Sequence, residues 1–227
     1  MSNQIEYYDH FGEAYKNDIL NSEQPHLWTR DYKENGKVHQ EMKRRVGLQQ
    51  KFVDKHFNKK YTVFDIGCGF GRQAYLLATM GFYILGIDSS PAFIEIAEEL
   101  FATHNYNGAF LCADFMKTEL RNHFKNVLVL DVLEHVIPYK RRRFMQKIFR
   151  MTESGSRILM TLPHEPLPVK KTIKKAIKQY FNYFTRREEH PYFIPQKQDV
   201  EKLTMGYFTI IDFEETPETD YYVLQRI

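Results

Sequence analysis

The sequence has few of the features that mark secreted, disulfide-rich or membrane-spanning proteins. It has two cysteines, Cys68 and Cys112, in apolar stretches without a Cys or His at metal-ligand spacing. No apolar run approaches the ~20 residues that cross a bilayer. The first 17 residues are too polar and acidic for a signal peptide. We therefore expect a cytoplasmic protein with reduced thiols.

The net charge of the chain is also close to zero, so it does not indicate a class of partner. The 32 basic and 29 acidic residues leave a net charge of +3, and 43% of the 227 residues are hydrophobic. This length and composition are typical of a globular domain with a substantial core. We expect a helical N-terminal segment over residues 1–60, packed on a main domain over residues 61–227.

The Gly-x-Gly-x-x-Gly spacing of dinucleotide sites is missing, and a different glycine pattern stands in its place. An apolar run ending in Asp65 and Ile66 predicts a buried strand. Gly67, Gly69 and Gly71 then alternate before an amphipathic helix that ends at Gly81. Such a turn lets backbone approach a ligand and aims free N–H groups at it. Because Asp65 would repel a pyrophosphate, the pattern favours a cationic ligand.

Strands and helices alternate along the rest of the chain. This alternation predicts βαβ units and a doubly wound α/β fold. Near the C-terminus the pattern changes, because the connection over residues 214–220 is too short for a crossover helix, so the last two strands should pair antiparallel. The predicted strands are 62–66, 83–88, 110–114, 126–131, 157–162, 207–213 and 221–226; the predicted helices are 38–57, 73–80, 92–103, 138–152 and 198–205.

Acidic residues end three successive predicted strands. They are Asp65, Asp88 and Asp114, and Asp88 follows Asp65 by 88 − 65 = 23 residues. In a doubly wound sheet these ends line one crevice, and an acid about 20 residues after the glycine turn can bind a ribose diol. Asp65 could hold an ammonium group and Asp114 an exocyclic amine. Ammonium, ribose and adenine amine together are the polar groups of S-adenosylmethionine.

The glycine stretch at 63–71 closely resembles the first motif of class I S-adenosylmethionine-dependent methyltransferases. Residues 86–90 are similar to the ribose-binding segment of these enzymes, and residues 113–115 to their adenine-binding segment. Residues 132–136 are similar to the segment after the fourth strand in ubiquinone-type O-methyltransferases. The resemblance implies a Rossmann-like, mostly parallel seven-stranded sheet with an antiparallel C-terminal hairpin. It also implies cofactor contacts from Asp65, Gly67, Cys68, Gly69, Gly71, Asp88, Ser89, Asp114, Phe115 and Asp131.

Each acid could instead only cap a helix, since Asp at a strand–helix junction often does so. We favour the ligand role for Asp88, and for Asp114 both roles stay open. His135 and His164 follow the fourth and fifth predicted strands and are the candidate general bases, because imidazole titrates near neutral pH. Either could equally be a structural histidine. Glu134 would orient the neighbouring base or act as a cap.

The acceptor is less well defined by the sequence. The Asn/Asp-Pro-Pro-Tyr motif of many amino-group methyltransferases is absent after the fourth strand, which favours O-methylation of a small molecule. Residues 165–197 form an insert, and within it residues 169–187 predict a basic amphipathic helix. This helix could cap the substrate pocket, contact an anionic substrate or membrane surface, or simply expose a solvated lysine face.

A second basic cluster begins the helix after the fourth strand, at residues 140–143 with Lys147 and Arg150. Because cations oppose the dipole of a helix N-terminus, they do not serve helix stability. They make an RNA methyltransferase an alternative, since basic patches contact phosphates. We rank it below the small-molecule enzyme because no RNA-binding module is evident. A non-catalytic protein that binds S-adenosylmethionine is the other alternative.

Overall fold

The computed structural model of the chain describes residues 3–30, 36–163 and 195–227. The N-terminal segment holds helix α1 (Asn3–Leu20), a 3₁₀ turn (Pro25–Leu27) and helix α2 (Lys37–His56). The elements that follow are β1 (Val63–Ile66), α3 (Arg72–Thr79), β2 (Ile84–Asp88), α4 (Pro91–Thr103), β3 (Gly108–Cys112), β4 (Phe124–Leu130), a 3₁₀ turn (Leu133–His135), α5 (Pro138–Arg150), β5 (Thr152–Pro163), α6 (Lys197–Thr204), β6 (Phe208–Glu215) and β7 (Thr219–Arg226).

The strands form one seven-stranded sheet in the order β3-β2-β1-β4-β5-β7-β6. β1 to β5 run parallel, whereas β7 is antiparallel to both β5 and β6. The order reverses between β1 and β4, where an open α/β sheet forms its ligand crevice. The predicted doubly wound sheet and antiparallel hairpin are thereby confirmed.

Alternate residues of the central strands enter two cores, one on each face of the sheet. Phe64 of β1 joins the core covered by α5 and α6, while its neighbour Val63 joins the core under α2 and α3. On β7, Tyr222 and Tyr221 divide in the same way. Because both faces are covered, the strands are apolar almost throughout, as parallel strands require.

Helix α1 forms a third, aromatic cluster with α4 rather than extending the two cores of the sheet. Trp28, Phe70 and Phe93 are buried there, and Phe11 and Tyr15 of α1 pack against them. The N-terminal segment therefore lies over the β2–α4 connection, close to the crevice.

Two strand boundaries differ from the sequence prediction. β3 covers residues 108–112 instead of 110–114, so Asp114 lies two residues beyond the strand. β5 begins at Thr152, five residues before the predicted start, because Thr152 pairs with Phe124 and Gly155 (φ +80°) then shifts the register. Gly155 therefore forms a bulge inside the strand.

Candidate functional site

The glycine turn lies at the carboxyl end of β1, and four of its backbone N–H groups already have acceptors within the protein. The N–H groups of Gly67 and Cys68 donate to Ile87 O, Gly71 N–H donates to Cys68 O, and Gly69 N–H donates to Asp88 Oδ2. For these four N–H groups, the expectation that they point free at a ligand is wrong. What the turn offers is an exposed backbone surface without side chains.

The positive φ angles of the three glycines shape this surface. At Gly67 (φ +71°), a Cβ would lie 2.6 Å from Cγ2 of Val132, a residue of the loop after β4. Gly67 therefore lets the loop that carries His135 approach the turn. Cys68 points the other way, since its side chain is buried and its Sγ lies 2.8 Å from where a Cβ of Gly86 would stand. Only the Cys68 backbone faces the crevice.

Asp65 is buried beneath the turn, with 2% of its surface exposed. Its Oδ2 has no hydrogen-bond partner among the described residues. Burial, and to a lesser degree the charge of Asp88, raises the pKa of Asp65 to about 7. A buried carboxylate oxygen without a donor suits a cationic ligand, so this residue meets the requirement for an ammonium contact.

Asp88 ends β2 and joins the turn to the next helix. Its Oδ2 accepts from Gly69 N–H at 2.9 Å and its Oδ1 accepts from Ser90 N–H at 3.0 Å. Burial raises the pKa of Asp88, and the backbone donors of Ser90, Gly69 and Ser89 oppose that rise. Ser90 caps α4, because its side-chain oxygen accepts from Phe93 N–H at 3.2 Å. A carboxylate has about four lone-pair sites, so these three backbone donors leave one for a ligand hydroxyl.

The Asp114 carboxylate has a local structural role. Its Oδ1 accepts from Met116 N–H at 2.8 Å, and its Oδ2 lies 3.2 Å from Lys117 Nζ. The following Phe115 is buried in the core against Phe64 and Phe144. The Asp114 carboxylate therefore caps a local turn and not a helix, and Phe115 offers only its backbone to a ligand.

Asp131 follows β4 in the left-handed conformation (φ 54°). Its N–H donates to Thr161 Oγ1 at 3.0 Å, while the Thr161 hydroxyl donates to Asp131 Oδ1 at 2.8 Å. Its Oδ2 forms an ion pair with Arg45 of α2. Asp131 thus ties β5 and α2 to the end of β4, a function that the sequence did not reveal.

The 3₁₀ turn after β4 carries Glu134 and His135. Arg141 of α5 holds this turn, because its Nε donates to Leu133 O at 3.2 Å and to Val136 O at 3.0 Å. Glu134 is 1% exposed, and burial together with Asp131 raises its pKa well above the ordinary value. Its Oε1 is 3.9 Å from Nε2 of the partly exposed His135. His135 therefore sits at the rim of the crevice, beside a buried carboxyl group whose pKa is raised.

Two predicted features lie outside the described residues: His164, and the basic helix at 169–187. The basic cluster on α5 is described, and it is less continuous than its sequence suggests. Arg141 is buried, and Lys147 Nζ donates to the carbonyl oxygens of Phe115 and Thr118. Of the six cations in this cluster, Lys140, Arg142, Arg143 and Arg150 are exposed.

Comparisons with known proteins agree with this geometry. A protein-family model for a methyltransferase domain matches residues 63–155. Ubiquinone biosynthesis O-methyltransferase from Rickettsia akari is 28% identical over 114 residues, which are 49% of this chain and 45% of that protein. The enzyme of the same name from Coxiella burnetii (strain Dugway 5J108-111) is 28% identical over 91 residues, or 39% of each chain. The chain thus matches less than half the length of these relatives.

Solved structures resemble the whole chain more fully. The magnesium protoporphyrin IX methyltransferase of Synechocystis PCC 6803, in its structure with bound S-adenosylmethionine, has a TM-score of 0.69 at 15% identity, covering 100% of this chain and 98% of its own. The PH0226 protein of Pyrococcus horikoshii OT3 has a TM-score of 0.66 at 19% identity, covering 85% and 93%. At these identities the likeness concerns the fold. In the described ranges, no helix is long and apolar enough to cross a membrane.

Proposed function

We propose that this protein, a member of the class I S-adenosylmethionine-dependent methyltransferases, transfers a methyl group from S-adenosylmethionine to a hydroxyl group of a small molecule. The observation that carries the proposal is the pair of carboxylates at adjacent strand ends, Asp65 and Asp88, on either side of the glycine turn. One is buried without a partner, and the other retains capacity for hydroxyl donors.

The cofactor would be held mainly by β1, β2 and the turn between β1 and α3. Asp65 would accept from the ammonium group of the methionyl part, and Asp88 from the ribose hydroxyls. Gly67, Gly69 and Gly71 would allow the cofactor to approach the backbone closely. The backbones of Cys68 and Ser89 would form the rest of the binding surface. Asp114 and the Phe115 backbone would face the adenine, and Asp131 would border the methionyl part.

The chemistry that the bound cofactor supplies is an electrophilic methyl group on a sulfonium. Such a displacement neutralises charge, so alignment and exclusion of water contribute much of the catalysis. A hydroxyl acceptor must also lose its proton. His135, at the crevice rim and next to the buried carboxyl group of Glu134, is the residue that we assign as general base.

The decisive experiment measures formation of S-adenosylhomocysteine from S-adenosylmethionine with three acceptor sets: hydroxylated aromatic compounds, amines, and unmodified tRNA. We expect product with the hydroxylated set alone. The variant His135→Gln should keep the affinity for S-adenosylhomocysteine and lose turnover by roughly 10²–10⁴-fold. Product with tRNA alone would favour the RNA alternative, and cofactor binding without product in any set would favour the non-catalytic one.

We also propose that residues 165–197 cap the acceptor pocket, with anionic acceptors or membrane surfaces as possible contacts of the helix at 169–187. Deletion of residues 168–187 should leave cofactor affinity unchanged and abolish turnover. Unchanged turnover after this deletion would contradict the cap.

A further inference from the structure

The first turn of helix α4 is capped by two residues that are far apart in the sequence. The N–H of Phe93 donates to Ser90 Oγ at 3.2 Å, which is the local cap. The N–H of Ala92 donates to Asp9 Oδ1 of helix α1 at 3.3 Å, across 83 residues of sequence. N–H groups at a helix start have no partner within the helix, and a carboxylate is a favourable acceptor there. Helix α1 therefore completes the cap of α4.

Ser90 connects this cap to the carboxylate at the end of β2. Its hydroxyl donates to Asp9 Oδ1 at 2.6 Å, and its N–H donates to Asp88 Oδ1 at 3.0 Å. Ser90 is 1% exposed, so its hydroxyl proton depends on an acceptor within the protein. A continuous path of hydrogen bonds therefore leads from Asp9 through Ser90 to Asp88.

The packing of α1 on α4 fixes the position of Asp9. A Cβ on Gly12, one turn after Asp9, would lie 2.9 Å from Ala92 Cβ, so the two helices are in close contact there. One turn further along α1, Lys16 Nζ lies 2.8 Å from Glu95 Oε1 on α4. The Asp9 carboxylate is therefore held by its own helix as well as by the groups that it caps.

Asp9 also influences Asp88 through its charge. The negative charge of Asp9 raises the pKa of Asp88, although burial of Asp88 is the larger cause of the rise. Two carboxylates close together disfavour a further anion and favour neutral or cationic donors. This electrostatic effect suits a hydroxyl ligand at Asp88 and opposes a phosphate.

We propose that Asp9 is a positioning residue for Asp88, because it fixes Ser90, whose N–H holds the Asp88 carboxylate in place for a ribose hydroxyl. This inference rests on the proposed function, in which Asp88 accepts from the ribose of S-adenosylmethionine. Without Asp9, the buried Ser90 hydroxyl and the Ala92 N–H lose their acceptor, and the connection between β2 and α4 loosens around Asp88.

The first test needs no ligand and reads amide hydrogen exchange at Gly69, whose N–H donates to the other oxygen of Asp88 at 2.9 Å. We expect Asp9→Ala to speed this exchange roughly three- to tenfold, the effect of about one hydrogen bond. Asp9→Asn should restore the wild-type rate, because its amide oxygen still accepts from Ser90. Lys16→Met, which breaks another contact between α1 and α4, is the control and should also exchange at the wild-type rate.

Unchanged exchange at Gly69 in Asp9→Ala would overturn the inference, and so would equal acceleration in Lys16→Met. If Asp9→Ala does not fold, Asp9→Leu is measured in its place, because leucine offers no acceptor and has a higher helix propensity than aspartate. Unchanged exchange in Asp9→Leu would overturn the inference in the same way.

The second test measures binding by calorimetry, with S-adenosylhomocysteine and with an analogue of it that lacks both ribose hydroxyls. Asp9→Ala should weaken binding of S-adenosylhomocysteine roughly three- to tenfold and leave binding of the analogue at its wild-type value. Equal weakening for both ligands would overturn the inference, because Asp9 would then not act through the ribose contact. A wild type that does not bind S-adenosylhomocysteine would contradict the proposed function, whereas wild-type binding with unchanged Gly69 exchange in Asp9→Ala would contradict the inference alone.

Discussion

The carboxylate of Asp88 accepts a hydrogen bond from the backbone N–H of Gly69 at 2.9 Å, so the end of β2 holds the middle of the glycine turn. The two residues are 19 apart in sequence: Gly69 lies in the turn after β1, and Asp88 ends β2, the parallel neighbour of β1. The residue assigned to the ribose therefore also maintains the shape of the turn that would receive the rest of the cofactor.

Loss of the Asp88 carboxylate should weaken cofactor binding through both functions. We expect Asp88→Ala to reduce the affinity for S-adenosylhomocysteine by at least ~1–3 kcal/mol, the effect of losing a hydrogen-bonded charged group. Calorimetry measures this change. Asp114→Ala is the matched control and should have a smaller effect, because its carboxylate caps its own turn. Equal losses in the two variants would contradict the assignment.

Gly67 and Gly81 both have left-handed backbone, and substitutions at the two positions can distinguish backbone strain from a steric clash. Gly67→Ala and Gly81→Ala should each cost ~1–2 kcal/mol for the φ angle alone. Only at Gly67 does the added Cβ meet a side chain, Val132. We therefore expect Gly67→Ala to lower the free energy of unfolding further, by ~1 kcal/mol or more, as measured by urea denaturation.

The control is the double variant Gly67→Ala/Val132→Ala, which removes the blocking methyl group. In this background the added Cβ no longer meets a side chain. The loss of unfolding free energy from Val132→Ala to the double variant should therefore approach the loss from wild type to Gly81→Ala. If the loss at Gly67 stays the same with or without Val132, contact between the loop and the turn is not what requires glycine.

Local sequence patterns sufficed for the order of elements, because hydrophobic periodicity and glycine positions are local properties. The Ser90 cap and the left-handed glycines at the ends of α3 and α6 follow from the same local rules. β5 shows where such rules stop. Its first residues contain Gly155 and depend on pairing with Phe124, which only the folded sheet supplies.

The candidate site was predictable where residues are close in sequence and not where distant segments meet. The positions of Asp65 and Asp88 follow from strand ends, a general property of parallel sheets. Tyr8 with His135 and Arg45 with Asp131 are 127 and 86 residues apart. An amphipathic pattern shows that a helix face is buried but not what covers it.

An ion-pair cluster at the edge of the sheet should make stability fall in acid. Asp212 Oδ2 lies 2.7 Å from both Lys55 Nζ and His56 Nε2, and these hydrogen bonds lower the pKa of Asp212 to about 2. A carboxyl group with a lowered folded-state pKa stabilises above its unfolded pKa of about 4. This contribution is lost as the pH falls from about 4 to about 2.

We therefore expect Asp212→Asn to be less stable than wild type by ~0.2–1 kcal/mol near neutral pH, with the difference shrinking below pH 4. Urea denaturation at several pH values measures it. Glu214→Gln, which breaks the exposed pair with Lys51, is the control and should show a smaller difference. A constant deficit of Asp212→Asn down to pH 2 would mean that packing, not charge, is lost.

Asp65 should show the opposite pH dependence, because burial raises its pKa to about 7 instead of lowering it. The folded protein then binds a proton that the unfolded chain releases above pH 4, so this group makes stability fall as the pH rises from about 4 to about 7. Asp65→Asn replaces this titratable carboxyl group with an amide that does not titrate. Relative to wild type, the ligand-free variant should be more stable at pH 8 than at pH 5.5, as measured by thermal unfolding.

The same charge should favour the cofactor. An ammonium group requires the ionised carboxylate, so the wild-type affinity for S-adenosylhomocysteine should rise between pH 6 and pH 8 with release of a proton, whereas Asp65→Asn should bind weakly and without this pH dependence. Calorimetry in buffers of different ionisation enthalpy gives the number of protons released on binding. Asp114→Asn, which changes a partly exposed carboxylate at the same crevice, should retain the wild-type profile. If Asp65→Asn gained stability at pH 8 yet bound as tightly as wild type, the buried charge would have no part in holding the ligand, and the ammonium would have to be placed elsewhere in the crevice.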